Sequence, residues 1–177
     1  MSDTRLGVRP SGKERHFKPE QLIVSKTDLK GRITYANDLF LDLADYSEKE
    51  VLGQPHSLIR HPDMPRCIFK MMWDEIASGK EIFAYVVNMG KNGDHYWVYA
   101  HITPTFDENH KVIGYHSNRR VADPKILKEK IIPLYAELRK IEESTPNRKD
   151  GMNAASKVLA QKLSDAGMAY DKFIQSL

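Results

Sequence analysis

The chain has 177 residues, one cysteine, and a formal charge of +3 from 27 Lys and Arg against 24 Asp and Glu. That length suits one ordinary domain plus extensions, large enough to bury a core without staples, and the lone Cys67 excludes an internal disulfide or a C-x-x-C centre. The interleaved charges form no concentrated footprint for nucleic acid, no apolar run approaches the ~20 residues that span a bilayer, and the N-terminus lacks a signal-peptide core, so a cytoplasmic protein with no direct membrane span is expected.

Residues 1–17 are polar, rich in Gly, Pro and charge, and read as a mobile N-terminal segment. From Leu22 the run LIVSKTDLKGRITYA predicts two short strands joined at Asp28, Lys30 and Gly31, with the glycine supplying a left-handed turn position. Asn37 precedes DLFLDLADY as the cap of a short helix, and Ser47 with Glu50 forms a capping-box pattern for the next, stopped by Gly53. Asp63 is placed to cap a longer helix that carries Ile68, Phe69, Met72, Trp73 and Ile76 on one side and ends at Gly79. Three strands follow near 82–90, 94–105 and 111–121, the first two joined by Asn92-Gly93, whose flanking aromatic and β-branched runs call for a tight hairpin. An α+β fold is expected: one five-stranded antiparallel sheet with short helices covering one face, leaving a cavity between the layers.

Beyond residue 122, Leu127, Ile131, Leu134, Leu138 and Ile141 recur at spacings of four and three, an apolar seam interrupted by Pro133. TPNRKDG at 145–151 reads as a turn or linker, and Ala155, Leu159 and Leu163 with Phe173, Ile174 and Leu177 suggest further amphipathic helices. The expected divisions are a mobile segment at 1–17, a sensor domain at 18–122, a signalling or docking helix at 123–144, and a linker with C-terminal helices at 145–177.

The motifs TDLKGRITYAND, GQPHSLIRHPDMP, Trp73 and KNGDHYW, in this order of elements, resemble the PAS domains of bacterial aerotaxis and energy-taxis receptors, which bind FAD non-covalently. The resemblance covers about residues 20–122, and the tail GMNAASKVLAQKLSDAGMAYDKFIQSL is similar to that of stand-alone energy-taxis PAS proteins. It implies a PAS fold with a C-terminal helical extension and a FAD site; separately, the sequence has no G-x-S-x-G elbow, phosphate-binding glycine loop or kinase signature, so no catalytic role is expected. As partner it implies a chemoreceptor-type membrane signalling protein or its cytoplasmic signalling domain, with association at the inner membrane through that partner; the apolar seam at 127–141 needs a cover of its own, and the options are the sheet, a second copy in a homodimer, or a receptor.

A flavin needs apolar walls and a few fixed polar groups, and the candidate residues are weighed on that basis. Trp73 can pack a flat ring, or else close the helix against the sheet as core. Asn88 shares its strand register with Ala84 and Val86, opposite Phe83, Tyr85 and Val87; the resemblance puts its amide at the polar edge of the ring, while the bland alternative is an early loop start. Arg60 could clamp a pyrophosphate and His61 could donate or stack; Asp63 suits a helix cap more than a ligand contact, His56 holds the same loop, and Asn37 has a full explanation as a cap. His95 and His101 share a strand face with Trp97 and Tyr99, which is either cavity floor or partner surface.

These readings favour a redox or energy sensor that binds FAD and relays flavin redox state to a chemotaxis-type partner. The alternatives are a PAS module that senses through haem or another small ligand, and a cofactor-free interaction domain. A light-driven adduct at Cys67 is disfavoured, because the order P-R-C-I-F displaces the thiol into a helix start.

Overall fold

In the computed structural model, which describes residues 8–176, the strands β1 (Ile23–Thr27), β2 (Ile33–Ala36), β3 (Ile82–Met89), β4 (His95–Phe106) and β5 (Val112–Val121) form one antiparallel sheet in the order β2-β1-β5-β4-β3. The local hairpins β1–β2, β3–β4 and β4–β5 form where turn chemistry calls for them. The pairing that unites them is non-local, with β1 running along β5 from Ile23 opposite Arg119 to Thr27 opposite Tyr115. The fold is thus the expected five-stranded sheet with helices and a C-terminal helical extension.

Between β2 and β3 lie α1 (Asp38–Ala44), α2 (Glu48–Val51), a 3₁₀ turn at His56–Ile59 and α3 (Arg66–Ala77). Asn37 caps α1 by accepting from the Phe40 amide, and Ser47 and Glu50 form the capping box of α2. α3 departs from expectation: Pro65 occupies its cap position, so Asp63 does not cap it, and its amides are satisfied from elsewhere in the chain. Gly31 turns β1 into β2 at φ 73, and a Cβ there would lie 2.7 Å from the Trp73 ring, so both conformation and space demand glycine.

Residues 8–17, part of the segment expected to be mobile, run beside the start of β4. The Ser11 amide donates to the Gly93 carbonyl, the Arg15 amide to the His95 carbonyl, and the His95 amide to the Lys13 carbonyl. Residues 1–7 of that segment, and Leu177 of the last apolar face, lie outside the described residues.

The C-terminal extension comprises α4 (Pro124–Ile126), a π-helical turn at Leu127–Ile131, α5 (Ile132–Glu143), α6 (Arg148–Asp165) and α7 (Tyr170–Gln175). Pro133 has no N–H, and its ring would strike the carbonyl four residues back; the wide turn before it accommodates both. That turn also inserts a residue into the helical repeat. The buried side chains become Leu127, Ile131, Tyr135, Leu138 and Glu142, while the expected Leu134 and Ile141 are only half-buried. The RKDG stretch assigned to a linker is instead the first turn of α6, capped by Asn147. Gly151 is there because α5 and α6 touch: a Cβ on it would lie 2.1 Å from the Glu142 carbonyl oxygen. Among the described residues, no helix is long and apolar enough to cross a membrane.

Candidate functional site

The inner sheet face and α3 enclose a cavity of about 470 Å³, inside the range of about 300–1,000 Å³ typical of small-ligand sites. α3 contributes Phe69, Met72, Trp73 and Ile76, the sheet contributes Val86, Ala100, Ile102 and Tyr115, and Met152 reaches in from α6. These make the walls apolar. Strand alternation decides the rest: Ser25 on β1, Asn88 on β3, and Ser117 and Arg119 on β5 point to the same side and line the same space.

The polar lining is buried yet incompletely satisfied. The Asn88 amide nitrogen, the Ser117 hydroxyl and one terminal nitrogen of Arg119 are inaccessible and have no hydrogen-bond partner. Unpaired buried polar groups cost free energy and are rare in folded proteins, so three lining one cavity is the mark of a site shaped for a ligand with complementary polar atoms. Arg119 carries the largest such cost. Its guanidinium is 3% exposed and has no carboxylate bonded to it; its other terminal nitrogen donates to the Ser25 hydroxyl at 2.8 Å and to His56 Nε2 at 2.6 Å, and the group lies 5.6 Å from the Phe40 ring centroid. Burial lowers its pKa to about 10, which leaves it a cation at neutral pH.

His56 lines the cavity as a fixed acceptor. Because arginine can only donate, Nε2 is the unprotonated nitrogen, and burial together with the Arg119 charge lowers the ring's pKa to about 3. Trp73 closes the other end, 37% exposed, edge-on to Tyr115 with ring centroids 5.5 Å apart and seated on Gly31. Arg60 joins Asn88 through a backbone bridge between the 3₁₀ loop and β3, and its guanidinium lies 4.1 Å over the Phe69 ring. Trp73, Asn88, Arg60 and His56 are therefore gathered around one cavity.

The remaining candidates lie elsewhere. His61 is buried in a second cavity of about 560 Å³, which adjoins the first along Pro55, Ser57, Arg60 and Arg66. Its Nδ1 accepts from the Asp63 amide at 3.0 Å, and burial lowers its pKa to about 4, with Asp63 opposing and His95 and Arg139 adding to the shift. Asp63 is exposed and pairs with Arg139 on α5. Asn37 is consumed by structure, accepting from the Val24 and Phe40 amides and donating to the Leu22 carbonyl.

His95 and His101 are on the outer sheet face with Trp97 and Tyr99, so they are not cavity floor. Trp97 there meets Tyr135 of α5 at 6.2 Å between centroids, and His101 stacks on Phe83 at 4.1 Å. Cys67 does not line the cavity, and burial, with Glu142 beside it, pushes its thiol up to about 12. No group of His, Cys, Asp or Glu among the described residues could hold a metal ion.

Sequence reasoning missed Ser25, Ser117 and Arg119. A signal existed in YHSNRRV, where Tyr115, Ser117 and Arg119 alternate on a strand that becomes central; a charge in the inward register of such a strand needs a reason.

Residues 33–119 match the family described as the PAS fold. The chain is 44% identical over 117 residues to the aerotaxis receptor of Escherichia coli strain K12, an alignment covering 66% of this chain and 22% of the receptor. It is 29% identical over 97 residues to the nitrogen fixation regulatory protein of Klebsiella pneumoniae, covering 55% of this chain and 20% of that protein. It therefore spans less than a quarter of either relative. Among solved structures, a light-oxygen-voltage domain studied with a flavin analogue superposes with a TM-score of 0.58 at 21% identity, covering 66% of this chain and 89% of that one. An RNA-binding light-oxygen-voltage receptor gives 0.57 at 18% identity, covering 72% and 37%. These structural likenesses speak to the fold.

Proposed function

From the premise that this chain belongs to the PAS family, we propose that it is a non-enzymatic, cytoplasmic sensor that binds FAD and relays its redox state to a chemotaxis-type signalling partner. The observation that carries this reading is the convergence of three unpartnered polar atoms, the Asn88 amide nitrogen, the Ser117 hydroxyl and one terminal nitrogen of Arg119, on a cavity walled by the aromatic and aliphatic side chains of α3 and the sheet. A flavin is a flat, largely apolar ring with donors and acceptors along one edge, and when bound it supplies electron transfer coupled to proton uptake.

The residues fit such a group in separable ways. Phe69, Met72 and Trp73 provide flat and flexible apolar surface, and Tyr115 backs Trp73 from the sheet. Asn88 offers both a donor and an acceptor, so it can follow a change in protonation at a polar edge without moving its backbone. Arg119 supplies a fixed positive charge in a poorly solvated space, where it favours electron-rich or anionic partners more strongly than it would in water. His56 and Ser25 keep that charge in place. Arg60 stands at the junction of the two cavities, so a dinucleotide could pass along it, with the second cavity near His61 receiving the part beyond the pyrophosphate. This two-chamber geometry favours FAD over a mononucleotide flavin.

The donor set argues against haem. Of the histidines lining the main cavity, His56 Nε2 already accepts from Arg119 and His116 Nε2 is hydrogen-bonded to Asn118 Oδ1 at 3.2 Å, while His61 is in the other chamber. The test is the visible spectrum of the purified protein before and after anaerobic dithionite. Flavin bands that bleach on reduction support the proposal; a Soret band, or no visible chromophore even after FAD is added, overturns it.

A further inference from the structure

The wall of the cavity is held in place from outside the PAS-matched segment, which ends at residue 119. α3 begins with no side chain of its own at the cap. Its first amides donate instead to the Glu142 carboxylate on α5: Arg66 N–H at 3.0 Å and Cys67 N–H at 2.7 Å, with Arg66 Nε–H added at 3.2 Å. Glu142 is 4% exposed, so its charge is tolerable only while these donors surround it.

Further contacts make the same connection. Arg139, one turn earlier on α5, pairs with Asp63 of the loop leading into α3. The Tyr135 hydroxyl donates at 2.6 Å to the Tyr85 carbonyl on β3, the strand that carries Asn88. α6 packs against α5 through Gly151, and the next residue, Met152, forms part of the cavity wall.

We propose that α5 and α6 act as a clasp, and that their docking on α3 and β3 and the occupancy of the cavity by cofactor form one coupled equilibrium. This inference rests on the FAD reading. A ligand seated against Phe69, Trp73 and Met152 fixes α3 and α6 relative to each other, and so favours the docked clasp; by reciprocity the docked clasp favours the ligand. Glu142 makes the arrangement two-state, because displacing the start of α3 removes charge-assisted hydrogen bonds from a buried carboxylate rather than weakening them gradually. A change in cofactor state that shifts α3 is thereby felt in helices that belong to the chain's C-terminal extension.

Hydrogen exchange of the full chain, followed by mass spectrometry with and without FAD, tests this. If opening of the clasp and binding exclude one another, FAD at 100 times its Kd slows exchange of buried amides around Leu138 and Leu159 by as much as about 100-fold. The Glu142→Gln variant, which keeps the shape but loses the charge, is expected to bind FAD about tenfold more weakly and to lose that protection while keeping it in β3 and α3. Should Glu142→Gln fail to fold, the wild-type exchange comparison and its counterpart in Arg139→Ala decide alone. Flavin binding without added protection at Leu138 and Leu159, or protection that survives both substitutions, overturns the clasp and leaves the FAD reading intact. Failure to bind FAD at all overturns both.

Discussion

Arg119 and Glu142 are both buried charges, yet they are treated in opposite ways. Glu142, on the buried side of α5, meets Arg66 and Cys67 donors at distances of 2.7 to 3.2 Å, whereas Arg119, inside the cavity, has no carboxylate bonded to it and one terminal nitrogen with no partner. A buried ionic group that is fully satisfied is part of the architecture, and removing one side of it is costly; a buried cation left short of partners costs stability until something binds. The same contrast separates the two regions, a C-terminal clasp whose polar groups are spent on the fold and a cavity whose polar groups are still available.

The largest break in this comparison is expected from Glu142→Ala. Exposing the α3 amides and Arg66 to an empty buried space should cost about 3 kcal/mol, read as a lower denaturation midpoint with an unchanged denaturant slope. Acid comes next and acts on the cavity side. His56 has a folded pKa of about 3 against an ordinary 6.5, so below pH 6.5 the unfolded chain binds a proton that the native state refuses. Stability is therefore fully present above pH 6.5 and falls as pH drops toward 3, at about 1.4 kcal/mol per pH unit, or about 2 kcal/mol from pH 6.5 to 5. Chemical denaturation at stepped pH measures this, and His56→Gln should flatten the slope. His61, lowered to about 4, acts in the same direction on the clasp side.

Arg119→Met sharpens the contrast by reversing its sign. Replacing an under-satisfied buried cation with an apolar side chain of similar length should raise the stability of the cofactor-free protein by about 1 kcal/mol and weaken FAD binding by more than about tenfold, measured by denaturation and fluorescence titration. The smallest effect on the fold is expected from Asn88→Leu. It removes an orphaned amide at nearly constant volume, so stability should change by less than about 0.5 kcal/mol while FAD affinity drops about tenfold. A variant that loses stability and keeps flavin affinity would reassign Asn88 to the core.

Much of this molecule could be read locally. Asn37, the Ser47–Glu50 box, Gly31 and the Asn92-Gly93 hairpin are punctuation whose physics acts over a few residues, and each falls where it was expected. The alternation of β3 correctly put Asn88 with Val86 and away from Tyr85. Other features could not be read this way. The cap of α3 comes from Glu142, 75 positions away from Cys67 in sequence, so Asp63 satisfied the local rule without filling the role. The π turn before Pro133 rotated the apolar seam by a residue, from Leu134 and Ile141 to Tyr135 and Glu142, and the glycine that suggested a linker at 151 is the contact point of two helices.

The sequence by itself determined the elements, their turns and the alternating faces of the strands, because backbone sterics, capping and hairpin geometry depend on near neighbours. Only the tertiary structure decided that β1 lies along β5, which brings Ser25 to Arg119 across 94 positions and makes a polar cluster from residues that look unremarkable in isolation. It also decided which buried charge is satisfied and which is left waiting. The reason is physical: desolvation and hydrogen-bond satisfaction depend on what surrounds a group in space, and packing distant segments together sets those surroundings.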